Sequence, residues 1–223
     1  MPKLKDAFKS GLFRLSPALA ARCGVQFPLR APNRAFLEQQ IFGYLNRQAD
    51  GPQGPGRCLF LGMGEYTWHY PRLLKPEFHS LDMDPEQARY GVPGRHLTGS
   101  ATEMAALYEP GYFDVVIANG LIGYGLNEQA DYERMLAQCH AVLKPGGLLV
   151  LGYNDTPERA PFPVHIDALG LFTPFVPPIA GVEQPRHPMR DKYHHVFVFA
   201  RRREPDAITA CARAGLTTTR PIC

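Results

Sequence analysis

The chain of 223 residues is long enough to bury one substantial core, and its 45% hydrophobic and 20% charged residues are ordinary for a globular protein. A formal net charge of +3 is too small to indicate a nucleic-acid-binding protein, and no apolar run approaches the roughly 18 residues that a membrane-spanning helix needs. The five cysteines lack CxxC spacing and are odd in number, which predicts free thiols in a reducing cytoplasm. We expect Cys58 and Cys139 to be buried.

Two helical patterns come first along the chain. The first covers residues 2–21, where charged residues interrupt the apolar ones, so that the continuous hydrophobic region of a signal peptide is absent. The second covers residues 33–48 and begins at an asparagine, a residue type that caps helices. A Gly/Pro cluster over residues 51–56 ends this part of the chain. We therefore predict an N-terminal helical lid over residues 1–50.

Strand and helix patterns alternate after that cluster. The clearest helix covers residues 127–143 and ends at Lys-Pro-Gly-Gly, as helix ends require. The alternation predicts an α/β fold with a doubly wound, mostly parallel sheet. The last strand follows no crossover helix of adequate length, which favours an antiparallel strand. Short apolar runs predict the strands at residues 58–61, 78–81, 95–97, 114–118, 148–151 and 194–200.

A glycine turn follows the first strand. Residues 59–70 read LFLGMGEYTWHY, so a hydrophobic strand runs into Gly62-Met63-Gly64 and then toward a helix. Glycines are needed there because the chain turns tightly while its backbone approaches a ligand. The dinucleotide fingerprint would place a third glycine at position 67, which is a threonine here. This difference argues against an NAD or FAD site.

A carboxylate ends the second strand. Asp82 lies 20 residues after Gly62, where a carboxylate can accept two hydrogen bonds from a ribose diol. The alternative is that Asp82 only caps the next helix. Asp84, which is followed by Pro85, is the better cap, so we favour the ribose role for Asp82.

These residues, together with three later segments, resemble the class I S-adenosylmethionine-dependent methyltransferases. The segments are GSATEM at 99–104, FDVVIANG at 113–120 and CHAVLKPGGLLVLGYN at 139–154. The resemblance covers roughly residues 57–200. It implies a Rossmann-like sheet of seven strands with the last antiparallel, and S-adenosyl-L-methionine as the cofactor.

The resemblance also implies which residues contact that cofactor. In the family, the glycine loop holds the methionine portion and the acid after the second strand holds the ribose. The third segment lies against the adenine, and the end of the fourth strand borders the sulfonium. The corresponding cofactor-binding residues are Gly62, Met63, Gly64, Glu65, Asp82, Met83, Ser100, Ala101, Asn119 and Gly120.

Several departures from the family pattern concern the methionine pocket. No acid stands at Phe60, residues 65–67 replace small residues, and Ser100 stands where an aspartate is common. We therefore expect a bulkier, more aromatic pocket, in which aromatic faces stabilise the sulfonium cation. A tyrosine or a histidine would assist proton removal from the acceptor. The candidate catalytic residues are Tyr66, Tyr124, Asn154 and Tyr193.

No metal site is predicted. Asn154 and Asp155 follow the fifth strand, where metal-dependent relatives keep ligands, but Asn119 at the end of the fourth strand is not acidic. His194 and His195 begin the last strand, where alternation allows only one of them to face inward. We interpret this pair as structural.

The substrate is expected to be a small molecule. The methyltransferase-like domain takes residues 57–203, and residues 204–223 form a C-terminal tail with a short helix. The apolar, proline-rich loop at 156–193 would build a small, dry pocket together with the N-terminal lid. We expect no nucleic-acid or membrane partner and a cytoplasmic location.

Three functions remain open from the sequence. The first is methyl transfer from S-adenosyl-L-methionine to a small metabolite. The second is cyclisation of S-adenosyl-L-methionine itself, with release of methylthioadenosine. Its basis is the bulky loop at Glu65-Tyr66 and a resemblance to the azetidine-2-carboxylate synthases on this fold. The third is a non-catalytic cofactor-binding subunit, against which the intact glycine loop and Asp82 argue.

Overall fold

The protein is an α/β fold built on one mixed sheet. This computed structural model describes residues 2–25 and 27–204, with side chains from residue 8 onward. The order of the strands across the sheet is β3-β2-β1-β4-β5-β8-β6, and β7 also pairs with β8. The strands are β1 (Arg57–Leu61), β2 (Glu77–Asp82), β3 (His96–Thr98), β4 (Phe113–Asn119), β5 (Leu143–Asn154), β6 (Phe172–Pro174), β7 (Arg186–Pro188) and β8 (His195–Arg202).

Most of the helical residues lie in two parts of the chain. Between α3 and α4, Phe36–Ile41 form a π-helical stretch, so these three pieces make one continuous helical segment. Among the described residues, no helix has both the length and the apolarity to cross a membrane. The α-helices are α1 (Pro2–Leu15), α2 (Pro17–Arg22), α3 (Pro32–Ala35), α4 (Phe42–Ala49) and α5 (Gln129–Val142).

The first predicted helix is interrupted in the structure. It divides into α1 and α2 because Pro17 has no N–H to donate to the preceding turn. Ser16 accepts a hydrogen bond from the Leu19 amide through its Oγ, at 3.3 Å, and so starts α2. The prediction of a helix after the glycine turn is wrong, since only a 3₁₀ helix at Tyr70–Arg72 follows.

The α/β class and the antiparallel closing strand are confirmed. Strands β1 to β5 run parallel, and β8 is antiparallel to β5. The sheet has eight strands in the described part of the chain, against the seven that the resemblance implies and the six that apolar runs predict. The two strands without a predicted run, β6 and β7, lie inside the predicted loop 156–193. Each has three residues and one proline, too short for an alternating pattern to reveal.

The two faces of the sheet bury separate hydrophobic cores. On one face, the side chains of the N-terminal helices, including Phe13 and Ile41, pack with Phe60 and Ile117 of the sheet. On the other face, α5 packs against residues such as Val116 of β4. The N-terminal helices therefore cover the sheet itself.

The remaining expectations concern single residues and the chain end. Cys58 and Cys139 are buried, as predicted, and Cys23 is exposed. The C-terminal helix predicted within 204–223 lies outside the described residues from 205 onward. Whether residues 1–50 act as a movable lid stays a prediction.

Candidate functional site

A cavity of about 770 Å³ opens at the carboxyl ends of the central strands. Ligands bind at this edge in open α/β sheets, because the loops that follow the strands converge there. All but one of the predicted site residues line this cavity. They are Gly62, Met63, Gly64, Tyr66, Asp82, Met83, Ser100, Ala101, Asn119, Gly120, Tyr124, Asn154 and Tyr193.

The glycine turn brings backbone close to the cavity. Gly62 has φ +87°, a left-handed conformation that suits glycine, and its amide donates to the Leu81 carbonyl at 2.9 Å. A Cβ atom at Gly62 would lie 3.2 Å from Leu121. Thr67, at the position of the missing third glycine, closes the turn, because its Oγ1 accepts from the Gly64 amide at 3.0 Å.

The carboxylate of Asp82 stands at the end of β2 and lines the cavity. Its Oδ1 accepts a hydrogen bond from the Asp84 amide at 2.9 Å, which fixes the orientation of the carboxyl group. Burial raises the pKa of Asp82 above its ordinary value, and backbone hydrogen bonds from Asp84 and Met63 act in the opposite direction. Asp84 caps the next 3₁₀ helix, Pro85–Tyr90, as predicted, through the Glu86 amide.

The segment after β3 closes the same side of the cavity. The Gly99 amide donates to the Asp82 carbonyl at 2.9 Å, so this segment is tied to the end of β2. The Oγ of Ser100 lies 2.7 Å from the Oγ1 of Thr102 and also accepts from the Thr102 amide. This local turn places Ser100 and Ala101 next to Asp82 along the cavity wall.

Three tyrosines stand at the mouth of the cavity. Tyr66, Tyr124 and Tyr193 are 43%, 57% and 43% exposed, and cations lie over one face of two of the rings, Arg159 over Tyr124 at 4.3 Å and Lys192 over Tyr193 at 5.0 Å. A hydrogen bond with the Glu65 carboxylate raises the pKa of Tyr66, which makes it a poor base at neutral pH. The hydroxyl of Tyr124 accepts from Asn154 Nδ2 at 3.4 Å.

Glu65 is the predicted site residue that lies elsewhere. It lines a smaller hollow of about 270 Å³, between the glycine turn and the 3₁₀ helix after β2. Gly64 and Tyr66 line both spaces, so the wall between them is thin. The chain turns after Gly64 and carries Glu65 to the outer side.

Two features of the cavity escaped the sequence reasoning. Arg30, which precedes α3, and Arg34, which lies within α3, both line it, whereas the sequence predicts only that this segment belongs to the helical lid. Prolines at 28 and 32 were the available signal, because they indicate an extended connection rather than a continuous helix.

The second feature is His195, which had been interpreted as structural. It is 3% exposed and lines the cavity. Its Nδ1 lies 2.8 Å from Asn154 Oδ1, and its Nε2 lies 3.1 Å from Asn119 Oδ1. No sequence signal identified this contact, because it depends on the register of three strands.

The donor set does not resemble a metal site. Within residues 2–25 and 27–204, no group of three or more His, Cys, Asp or Glu side chains could hold a metal ion. The charged residues that line the cavity are instead two aspartates, Asp82 and Asp131, and the two arginines. Such a site suits an organic ligand that carries both charges.

The strand order, the glycine turn and the acid after the second strand define the class I methyltransferase fold. Residues 61–151 match the family described as "Methyltransferase domain". The matched segment runs from the end of β1 to the middle of β5, so it contains most of the cavity wall.

One curated protein is similar over part of this chain. The chain is 30% identical over 136 residues to a demethylmenaquinone methyltransferase of Lactococcus lactis. That match covers 55% of this chain and about half of the relative's own length.

Solved structures share the fold. The N-methyltransferase NodS from Bradyrhizobium japonicum, in complex with S-adenosyl-L-homocysteine, has a TM-score of 0.55 at 15% identity, covering 78% of this chain and 90% of its own. A 1,6-didemethyltoxoflavin-N1-methyltransferase from Burkholderia thailandensis has a TM-score of 0.51 at 19% identity, covering 81% and 94%. At these identities the likeness shows the fold.

Proposed function

We propose that the protein is an S-adenosyl-L-methionine-dependent methyltransferase that acts on a small molecule. The observation that carries the proposal is that one cavity holds the residues proposed to bind the cofactor and an acceptor. It brings the glycine turn, Asp82, Ser100 and Asn119 together with open space beside Arg30 and the mouth tyrosines. The relative from Lactococcus lactis and the two solved structures are methyltransferases by name, which supports the same activity.

The residues fit the cofactor in charge and shape. Gly62 lines the cavity in a left-handed conformation with φ +87°, so its backbone can approach the methionine portion. Asp82, held by the Asp84 amide, offers its remaining carboxylate positions to a ribose diol. When bound, the sulfonium supplies an electrophilic methyl group that needs alignment with a nucleophile rather than a metal.

The rest of the cavity accommodates the acceptor. Its volume of about 770 Å³ lies in the upper part of the range typical of small-molecule sites. Tyr124 and Tyr193 at the mouth can pack on an acceptor and exclude water from its nucleophile. Arg30 and Arg34, which have no carboxylate partner among the described residues, offer positive charge to an acidic group on a ligand.

Cyclisation of the cofactor is not the function that the site favours. That hypothesis depended on Glu65 and Tyr66 crowding the methionine pocket, yet Glu65 faces the outer hollow. The cavity also keeps space beyond the predicted cofactor residues. Incubation of the pure protein with S-adenosyl-L-methionine alone, followed by mass spectrometry, is expected to yield no methylthioadenosine. Methylthioadenosine with a cyclic amino acid would establish cyclisation instead.

A binding test distinguishes the two roles considered for Asp82, ribose binding and helix capping. Asp82→Ala is expected to weaken S-adenosyl-L-homocysteine binding at least about tenfold, because a charge-assisted hydrogen bond contributes about 1.5–3 kcal/mol. Isothermal titration calorimetry at pH 7.5 measures the affinity. The unaltered protein must bind with a one-to-one ratio.

The matched control is Asp84→Ala. Asp84 lies two residues further on and caps the helix outside the cavity, so its removal is expected to leave the affinity within about twofold. Equal losses in both variants would mean that Asp82 acts only through the fold. No binding by the unaltered protein would refute the proposed function.

A further inference from the structure

His195 links the ends of three strands at the cavity. In the register of the sheet, Asn119 of β4 pairs with Gly152 of β5, and Asn154 of β5 pairs with His195 of β8. The imidazole therefore lies between the two asparagines, with one ring nitrogen on each amide. Both asparagines line the cavity, where Asn119 is predicted to border the sulfonium.

Several local features build this arrangement. A Cβ atom at Gly152 would lie 2.0 Å from Asn119 Oδ1 and 3.0 Å from His195 Nε2, so only glycine leaves room for the contact. His194 has φ +49°, the only positive value among the described non-glycine residues. Asp191 Oδ1 accepts from the amides of Tyr193 and His195 and holds this turn. Such strain is typical of functional sites.

The ring cannot act as a base toward a ligand while both nitrogens contact amides. Burial lowers the pKa of His195 to about 4, so the ring is neutral at pH 7. A neutral imidazole donates through one nitrogen and accepts through the other. It therefore donates to the oxygen of one amide and accepts from the N–H of the other. The two asparagines must then turn opposite ends of their amide groups toward the cavity.

The two contact distances indicate which asparagine does which. His195 Nδ1 lies 2.8 Å from Asn154 Oδ1 and Nε2 lies 3.1 Å from Asn119 Oδ1, so the shorter contact is assigned to the N–H···O bond, in which Asn154 Oδ1 accepts from His195 Nδ1–H. His195 Nε2 then carries the lone pair and needs a donor. Asn119 can supply one only through its amide nitrogen, so its amide group is assigned the orientation turned by 180°, with Nδ2 toward the ring and the carbonyl oxygen away from it.

We infer that His195 is a positioning residue that fixes the amide of Asn119 toward the bound ligand. The inference rests on the proposed function, since it assigns a task to a residue of the same cavity. Asn119 then offers a hydrogen-bond acceptor at the transfer end, where it would orient an N–H or O–H group. His195 itself does not touch the reacting atoms.

A double-mutant cycle on S-adenosyl-L-homocysteine binding tests the inference. His195→Phe keeps a flat ring but loses both ring nitrogens, and we expect it to weaken binding about five- to tenfold. Because His195 acts through Asn119, the double variant with Asn119→Ala is expected to bind no more weakly than Asn119→Ala alone. Additive losses with intact binding by the unaltered protein would overturn this inference and leave the proposed function standing.

A second test uses the unaltered protein and therefore needs no variant to fold. Nitrogen-15 NMR of the unaltered protein at pH 7 is expected to show His195 as the neutral tautomer with the proton on Nδ1. The opposite tautomer, or a charged ring, would contradict the assignment.

His140→Phe is the matched control for the double-mutant cycle. His140 is a half-buried histidine of α5 outside the cavity, so its replacement should leave the affinity unchanged.

Discussion

The buried imidazole of His195 makes the folded state sensitive to acid. Its pKa is about 4 when folded, against an ordinary value of 6.5. The unfolded chain therefore binds more protons than the folded one between these two values. Stability is fully present above the unfolded pKa and decreases as the pH falls through this window.

This difference gives a residue-scale prediction. Between pH 7 and pH 5, His195 becomes protonated in the unfolded chain but stays neutral in the folded one. This difference is expected to remove about 2 kcal/mol of the free energy of unfolding. His195→Phe lacks the group, so its stability should decline less over the same interval. Urea denaturation at both pH values measures the two declines. Equal declines in both proteins would show that folding does not lower the pKa of His195.

At this scale, the sequence indicates residues whose roles are local. Gly62, Gly64 and Asp84 were predicted because a turn or a cap needs a particular residue type within a few positions. His195 could not be recognised in the same way. Its partners Asn119 and Asn154 are 76 and 41 residues away, and only the pairing of β4, β5 and β8 brings them together.

The N-terminal helices form part of the main core. Phe13 of α1 is fully buried, and its ring lies 5.3 Å from the ring of Trp68 and 5.2 Å from that of Phe27, centroid to centroid. Both contacts are edge-to-face, a favourable geometry for aromatic pairs. The helix that carries Phe13 is therefore held by the loop that follows the glycine turn.

Phe13→Ala is expected to cost about 3–5 kcal/mol of unfolding free energy, because it removes a buried aromatic ring and leaves a cavity. Phe8→Ala is the matched control on the same helix. Phe8 is 73% exposed, so its removal should change stability by less than about 0.5 kcal/mol. Thermal unfolding followed by circular dichroism compares the two. A small effect of Phe13→Ala would mean that α1 contributes little to the core.

Elements with long, periodic patterns were the predictable ones. The helix at Gln129–Val142 and the longer parallel strands β1, β2, β4 and β5 have enough apolar residues to show their pattern. The π-helical stretch Phe36–Ile41 follows no distinct sequence rule, so it was read as ordinary helix. The apolar spacing of residues 2–21 predicts one helix, whereas Pro17 separates α1 from α2 because proline interrupts a helix.

At the scale of the whole molecule, the N-terminal helices and the sheet share one hydrophobic core. Phe42 and Leu37 belong to the same buried cluster as Phe60 and Phe197 of the sheet. Two parts that share a core are expected to unfold together. A lid that moved as a unit would instead have few buried contacts with the sheet.

Urea unfolding tests this cooperativity with two probes. Trp68 is the only tryptophan of the chain and lies between α1 and the glycine turn, so its fluorescence reports the helix–sheet contact. Far-ultraviolet circular dichroism reports the secondary structure as a whole. The two transitions are expected to coincide. An earlier fluorescence transition would show that the N-terminal helices detach before the sheet unfolds, as a lid would.

The two short strands beside β8 determine how the sheet ends. β7 pairs with residues 196–198 and β6 with residues 200–202, so they lie end to end along one edge. The opposite edge is β3, which also has only three residues. The exposed border is interrupted by Pro174 and Pro188, which have no N–H to donate, and by the charged side chain of Arg186. Neither border thus offers a long template to another chain, which protects the protein against edge-to-edge aggregation at high concentration.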